Sequence, residues 1–171
     1  MNIALIGPSG SGKGTHADGL SAQFNLRHLA TGELFRDSLD NATALGLLAR
    51  KYMSQGELVP DEVVDAMMEE WLWKTPPDTG VLFDGFPRTV AQAKFLDDLF
   101  QQIGRRLDAV LYLKVPDEEI VQRLSGRLIC RHCHAPFHKS FHPFQRCPIE
   151  HCHGEHLYQR PDDIPEMVRT R

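Results

Sequence analysis

Gly7-Pro8-Ser9-Gly10-Ser11-Gly12-Lys13-Gly14-Thr15 stands between a bare apolar run, Ile3-Ala4-Leu5-Ile6, and a segment in which Ala17, Leu20 and Phe24 recur at helical spacing. Strand, glycine-rich turn and helix form the context that a phosphate-binding loop requires. Glycines let backbone N–H groups converge on phosphate oxygens, and the start of a helix adds a dipole that favours anions. In this reading Gly10, Ser11, Gly12 and Gly14 belong to the cradle. Lys13 brings a point charge to the outer phosphates and Thr15 offers a hydroxyl to Mg²⁺. The general pattern has Ser or Thr directly after the lysine, whereas Gly14 stands there.

The 171 residues suggest one domain with room for an inserted lobe, and a hydrophobic fraction of 42% suffices for a core. A net charge of -4 argues against a broad basic face for duplex nucleic acid. Met1-Asn2 carries no basic region and the apolar run behind it is too short for a signal peptide, so the chain reads as cytoplasmic. No stretch approaches a membrane span. In a reducing compartment the four cysteines read as metal ligands in preference to disulfides.

Strand and helix signals alternate beyond the loop. Leu26 to Ala30 reads as a strand, and Thr31-Gly32-Glu33-Leu34-Phe35-Arg36 opens a helix with Thr31 as its expected N-cap. Leu45, Leu48 and Tyr52 mark a further short helix, broken at Gln55-Gly56-Glu57-Leu58-Val59-Pro60. Val63, Val64, Met67, Met68, Trp71 and Leu72 form a core-facing stripe, from which Trp73 departs. Val81-Leu82-Phe83 reads as a buried strand with Asp84-Gly85-Phe86-Pro87-Arg88 at its carboxyl end, the edge where open α/β sheets bind ligands. Thr89-Val90-Ala91-Gln92 has the form of a capping box before the apolar face Phe95, Leu96, Leu99, Phe100 and Ile103. Ala109 to Leu113 is a fourth strand, and Asp117 to Leu124 a helix ended by Gly126. This alternation predicts an α/β fold with a parallel sheet and right-handed crossovers.

Composition shifts once. All four cysteines lie between Cys130 and Cys152, and seven of nine histidines between His132 and His156. Cys130-Arg131-His132-Cys133 is a two-residue-gap knuckle, and Cys147 with Cys152 offers a second pair for a tetrahedral structural Zn²⁺. A site of three cysteines and one histidine, with His151 or His153 in place of Cys152, is an alternative, and Glu150 a weaker one. A zinc ribbon that reads nucleic acid ranks low, because Arg131, Lys139 and Arg146 stand against Glu150 and Glu155 without a basic stripe. Asp163-Ile164-Pro165-Glu166 then starts a last helix.

Taken in order, Gly7 to Thr15, Thr31 to Arg36, Gly56-Glu57-Leu58-Val59-Pro60-Asp61, Asp84 to Arg88, Arg123 with Arg127, the cysteine module and Gln159-Arg160-Pro161-Asp162-Asp163 resemble the adenylate kinases, in the form with a long zinc-bearing lid. The resemblance implies a P-loop nucleoside monophosphate kinase core over residues 1–127, with acceptor-binding helices over about 31–60. It implies a zinc-binding lid over 128–158 and a return to the core over 159–171. It implies ATP and AMP as substrates, two ADP as products, Mg²⁺ with ATP, a structural Zn²⁺, and a monomer without nucleic-acid or membrane partners. By the same resemblance Lys13, Arg88, Arg123, Arg160 and Arg171 form the catalytic set, with Arg123 and Arg127 meeting ATP from the base of the lid. Arg36 and Arg88 take the AMP phosphate, and Asp84 with Thr15 serves the magnesium. Thr31, Glu57, Leu58, Val59, Gly85 and Gln92 receive the acceptor base. Two departures stand out: the family usually has proline third in the loop where this chain has Pro8-Ser9, and its second cysteine pair has a gap of two residues where this chain has four. Members typically continue beyond the position of Arg171, so the resemblance reads the chain as truncated at its carboxyl end. The alternatives are a kinase for another nucleoside monophosphate and a nucleotide-binding fragment without turnover.

Overall fold

The computed structural model describes residues 1–54, 59–133, 135–147, 152–160, 163 and 168. Backbone contacts gather residues 1–7 and 12–113 into one unit, and residues 8–11 with 114–171 into another.

The first unit is built on a parallel sheet. Its strands are β1 (Asn2–Ile6), β2 (Leu26–Ala30), β3 (Gly80–Asp84) and β4 (Ala109–Tyr112), in the order β2-β3-β1-β4. Strands buried on both faces need continuous apolar runs, and Val81, Leu82 and Phe83 are wholly buried between β1 and β2. The register sets Leu5 and Ala30 on either side of Asp84, so the carboxyl ends of these three strands coincide. Among the described residues β4 pairs with β1 alone, and Val110, Leu111 and Tyr112 are exposed.

Helices α1 (Lys13–Phe24), α2 (Thr31–Asp40), α3 (Ala44–Ser54), α4 (Asp61–Trp73) and α5 (Val90–Gln102) complete this unit. The stripe on α4 falls as its spacing predicts: Val63, Val64, Met67, Met68 and Leu72 are buried. Met68 and Leu72 join Phe83, Phe86, Leu96, Leu99 and Phe100 in the main core. Trp71 carries the Arg27 guanidinium 4.4 Å above its ring, while Trp73 is 62% exposed. Two expected face residues lie in solvent. Phe24 is the last residue of α1 before a left-handed turn at Asn25, and the chain leaves the sheet face there. On α3 Gly46 and Ala49 are buried, and Leu48 is exposed beside Ala49.

In the second unit α6 (Asp117–Ser125) ends at Gly126, as the sequence predicts. It is followed by β5 (Arg127–Cys130), β6 (Pro136–His138) and β7 (Leu157–Tyr158), which form an antiparallel sheet of order β6-β5-β7. Gly10 packs in this unit. Its φ is +83°, and a Cβ there would come 2.8 Å from Leu124 Cγ, so only glycine fits the turn and the helix behind it. The helix expected from Asp163 falls mostly outside the described residues.

Phe83 makes ring contacts with Phe86 at 6.3 Å and Phe100 at 5.9 Å between centroids. Phe83→Ala is expected to lower unfolding free energy by about 3–5 kcal/mol, whereas Trp73→Ala changes it by about 0.5 kcal/mol or less. Urea unfolding of both variants followed by circular dichroism checks the contrast.

Candidate nucleotide site and cysteine cluster

The loop after β1 enters α1 through Gly12, whose φ of 94° glycine alone accepts without strain. The first-turn N–H groups of Gly14 and Thr15 have no acceptor four residues back within the helix, and that end of α1 suits an anion. The N–H of Ser11 is spent inside the loop on the Pro8 carbonyl, at 3.2 Å. Lys13 folds back so that Nζ donates to the Gly7 carbonyl at 2.8 Å. Thr15 is exposed. Gly14 lies beside Asp84: a methyl group added there would sit 3.6 Å from Asp84 Oδ2.

At the end of β3 the Asp84 carbonyl accepts from Thr31 Oγ1 at 3.1 Å. Thr31 is therefore not the cap of α2. The capping position is Ala30, which offers no side-chain bond, and the Thr31 hydroxyl instead ties β2 to β3 at the sheet edge. Gly85 follows with φ +85°, and the Arg88 Nε donates to its carbonyl at 2.7 Å. A side chain at Gly85 would meet the Arg88 guanidinium, so glycine seats that arginine against the backbone.

The expected capping box at the start of α5 is half realised. Thr89 Oγ1 accepts from Gln92 N at 3.1 Å, but Gln92 Oε1 reaches the N–H of Arg88, at 2.7 Å, instead of that of Thr89. The remaining partner was not visible in local spacing. Asp61, first residue of α4, accepts from Gln92 Nε2 and from Thr89 Oγ1, each at 2.7 Å.

His28 on β2 is a second residue that sequence reasoning missed. Its Nε2 lies 3.8 Å from Asp84 Oδ2 and its Nδ1 3.5 Å from Asp18 Oδ1. At 3.8 Å the contact with Asp84 is an ion pair longer than a hydrogen bond. The Asp84 carboxylate, aided by Glu33 and Asp18, nevertheless holds the imidazole pKa above 6.5 against burial, which works the other way. No local pattern signals this pair, because it forms across the sheet.

Three further candidate arginines face carboxylates. Arg36 Nη2 is 4.0 Å from Glu33 Oε1, and Arg123 Nε donates to Glu119 Oε1 at 2.9 Å. Arg127 grips the fully buried Asp163 with two bonds, Nε to Oδ2 at 2.8 Å and Nη2 to Oδ1 at 2.6 Å. Removing one partner of a buried pair strands the other charge. Gln159 Nε2 donates to the Ser125 carbonyl at 2.7 Å, and Arg160 is half-buried. Val59 is also half-buried, and Glu57, Leu58 and Arg171 lie outside the described residues.

In the second unit the sulfurs converge. Cys130, Cys133 and Cys147 have Sγ atoms within 4.8 Å of one another, and Cys152 Sγ lies 3.4 Å from Cys130 Sγ. Thiolates about 2.3 Å from one zinc stand about 3.8 Å apart, so the Cys130, Cys133 and Cys147 spacings suit three positions of such a site, while Cys152, though near Cys130, does not lie within 4.8 Å of all three. Burial opposes ionisation of Cys130. Backbone N–H groups of Cys133 and His132 and the adjoining thiols outweigh it and bring the pKa down to about 6. Burial, reinforced by the neighbouring sulfurs, pushes the Cys147 thiol up. His153 is exposed with its backbone N–H on Glu155 Oε2 at 2.7 Å, while Glu150 and His151 fall outside the described residues.

A family model described as adenylate kinase matches residues 5–171. The chain belongs to the adenylate kinase family. Among curated relatives, an adenylate kinase of Enterococcus faecalis is 44% identical over 172 residues, covering 100% of this chain and 80% of its own length. One from Caldicellulosiruptor bescii is 45% identical over 174 residues with the same coverage. One from Streptomyces avermitilis is 47% identical over 175 residues, covering 100% of this chain and 78% of its own length. The α/β architecture with its parallel sheet is that of an adenylate kinase, and membership makes this chain a nucleotide-binding phosphotransferase. Among the described residues no helix is long and apolar enough to cross a membrane.

Because the His28 pKa is raised in the folded adenylate kinase, the ion-pair stabilisation is fully present below about pH 6.5 and is lost as pH rises through the folded value. His28→Gln should therefore lower the urea midpoint at pH 5.5 and leave it nearly unchanged at pH 9. An equal deficit at both values would assign the loss to packing instead.

Proposed function

We propose that this chain transfers the γ-phosphoryl group of ATP to AMP, reversibly, giving two ADP. The observation that carries this reading is the shared register at Asp84, with Leu5 and Ala30 as its strand neighbours. It sets Gly7, Thr31 and the segment from Asp84 to Arg88 along one sheet edge. Phosphoryl transfer passes through a loose transition state, so the protein's work is to align donor and acceptor and to neutralise oxygens.

ATP phosphates take the first-turn N–H groups of α1, together with Gly10, Ser11 and Gly12, and Lys13 moves from the Gly7 carbonyl to the phosphate. Arg88 and Arg36 hold the AMP phosphate, since a planar guanidinium meets two phosphate oxygens at once. The acceptor base lies against Thr31, Glu57, Leu58, Val59, Gly85 and Gln92. Arg123 and Arg127 meet ATP at the base of a lid over 128–158, and Arg160 and Arg171 clamp the transferred group. For Arg127 this means exchanging the Asp163 carboxylate for phosphate, a replacement of one bidentate anion by another. Thr15 and Asp84 would hold Mg²⁺, which would supply charge neutralisation to the phosphates. Lid closure excludes water from the transferred group and suppresses hydrolysis.

Cys130, Cys133, Cys147 and Cys152 hold a structural Zn²⁺, a closed site with no open position for chemistry. The 3.4 Å approach of Cys152 to Cys130 supports cysteine over His153 as the fourth ligand. Free thiols suit a reducing cytoplasm, and the net charge of -4 suits a monomer without a nucleic-acid partner.

The test is ADP formation with MgATP and each of AMP, CMP, UMP and GMP. AMP is expected to be the acceptor, and Arg88→Lys should reduce kcat/KM for it by about 10²–10³-fold. Turnover of CMP or UMP without AMP would replace the acceptor assignment, and ATP binding without any turnover would reduce the chain to a nucleotide-binding module. For the cysteine cluster, elemental analysis should find about one zinc per chain. No zinc, with all thiols reacting freely, would remove the metal from the picture.

A further inference from the structure

The bonds around Gln92 fix which way its amide points. The Arg88 backbone N–H is only a donor, so the atom 2.7 Å from it must be the amide oxygen. An ionised Asp61 is only an acceptor, so the atom 2.7 Å from its Oδ1 must be the amide nitrogen. The other Asp61 oxygen receives the Thr89 hydroxyl proton at 2.7 Å, and the lone pair left on that hydroxyl accepts the Gln92 backbone N–H at 3.1 Å. The carboxylate thus sets the polarity of the bonds from Gln92 Nε2 and Thr89 Oγ1, and the backbone N–H groups of Arg88 and Gln92 match it. Reversing the amide would press oxygen against carboxylate and N–H against N–H. With Gln92 only 4% exposed, water cannot relieve either opposition.

We propose that Asp61 is the positioning residue that makes the acceptor subsite select a base with an exocyclic amine beside a ring-nitrogen acceptor. The inference rests on the reading that Gln92 contacts the acceptor base. One amide hydrogen and one oxygen lone pair remain after the internal bonds are made. The fixed oxygen accepts from an amine, and the fixed nitrogen donates to the neighbouring ring nitrogen. Adenine presents that pair. Hypoxanthine and guanine present the reverse, an oxo group beside a ring N–H, and would require the reversed amide. Asp61 touches no substrate and acts through Gln92. The Arg88 N–H completes the lock from the residue that takes the acceptor phosphate, so base and phosphate are read by one connected segment.

AMP and IMP differ at this edge alone and are the probes. Their dissociation constants are measured by calorimetry for the unaltered protein and for Asp61→Asn and Gln92→Ala, with thermal unfolding as a control. An asparagine can donate or accept toward Gln92, so D61N should lower the IMP-to-AMP ratio of dissociation constants about tenfold. Gln92→Ala should bring the ratio close to one. If D61N keeps the full ratio while Gln92→Ala loses it, the base reading stands and the role of Asp61 is overturned. If Gln92→Ala keeps the ratio, the base reading fails and this inference with it. Should D61N not fold, the Gln92 side-chain amide in a ¹⁵N spectrum of the unaltered protein decides. Its carboxylate-bonded proton should stay shifted when AMP binds, and loss of that shift would overturn the lock.

Discussion

Asp84 closes a strand that is hydrogen-bonded on both sides, and almost every assignment in the first unit is referred to that register. Slipping β3 by one residue would move the Phe83 ring to the opposite face, away from Phe86 and Phe100, and carry Asp84 away from Gly14, Thr31 and His28 together. The pairing is protected by the core itself. Val81, Leu82 and Phe83 are wholly buried between neighbours whose own apolar residues fill both faces, so no alternative register keeps the core intact. Site geometry here is therefore a property of the sheet, and the loops that carry Gly85 and Arg88 inherit it.

What could be read from the sequence follows the range of the interactions. The glycine-rich loop, the α4 stripe and the Thr89-to-Gln92 spacing are local, and each appears where its pattern predicts. Asp61 with Gln92, and His28 with Asp84, span 31 and 56 residues, and no periodicity encodes such meetings. Errors of face arise for a related reason. Helical spacing places Phe24 and Leu48 on apolar stripes but cannot tell where the neighbouring element ends. Thr31 is a third instance, because a hydroxyl at a helix start has a cap as its usual partner, and here a strand carbonyl from elsewhere in the chain takes it. In the cysteine cluster the Cys130–Cys133 knuckle was legible, whereas the approach of Cys152 to Cys130 depends on how β5 and β7 pair.

The second unit is held by different means. Its cysteine cluster, built around Cys130, Cys147, Cys152 and Phe137, is small beside the aromatic core of the first unit. Polar links supplement it: Lys139 Nζ donates to Gln159 Oε1 at 3.1 Å, and Arg131 lies 4.4 Å above the Tyr158 ring. Ile120, Leu124 and Val168 form a second small cluster, and cores of this size are the circumstance in which a bound metal would contribute folding energy directly.

The bond from Lys13 to the Gly7 carbonyl bears on which anions the loop can take. The ammonium already has a neutral acceptor across the turn, so an arriving anion must displace that contact before it gains the charge. Small singly charged ions such as chloride gain little from the exchange. A polyphosphate, which engages several first-turn N–H groups at once, gains enough to drive it. Such an exchange would favour anions of higher valence and longer reach.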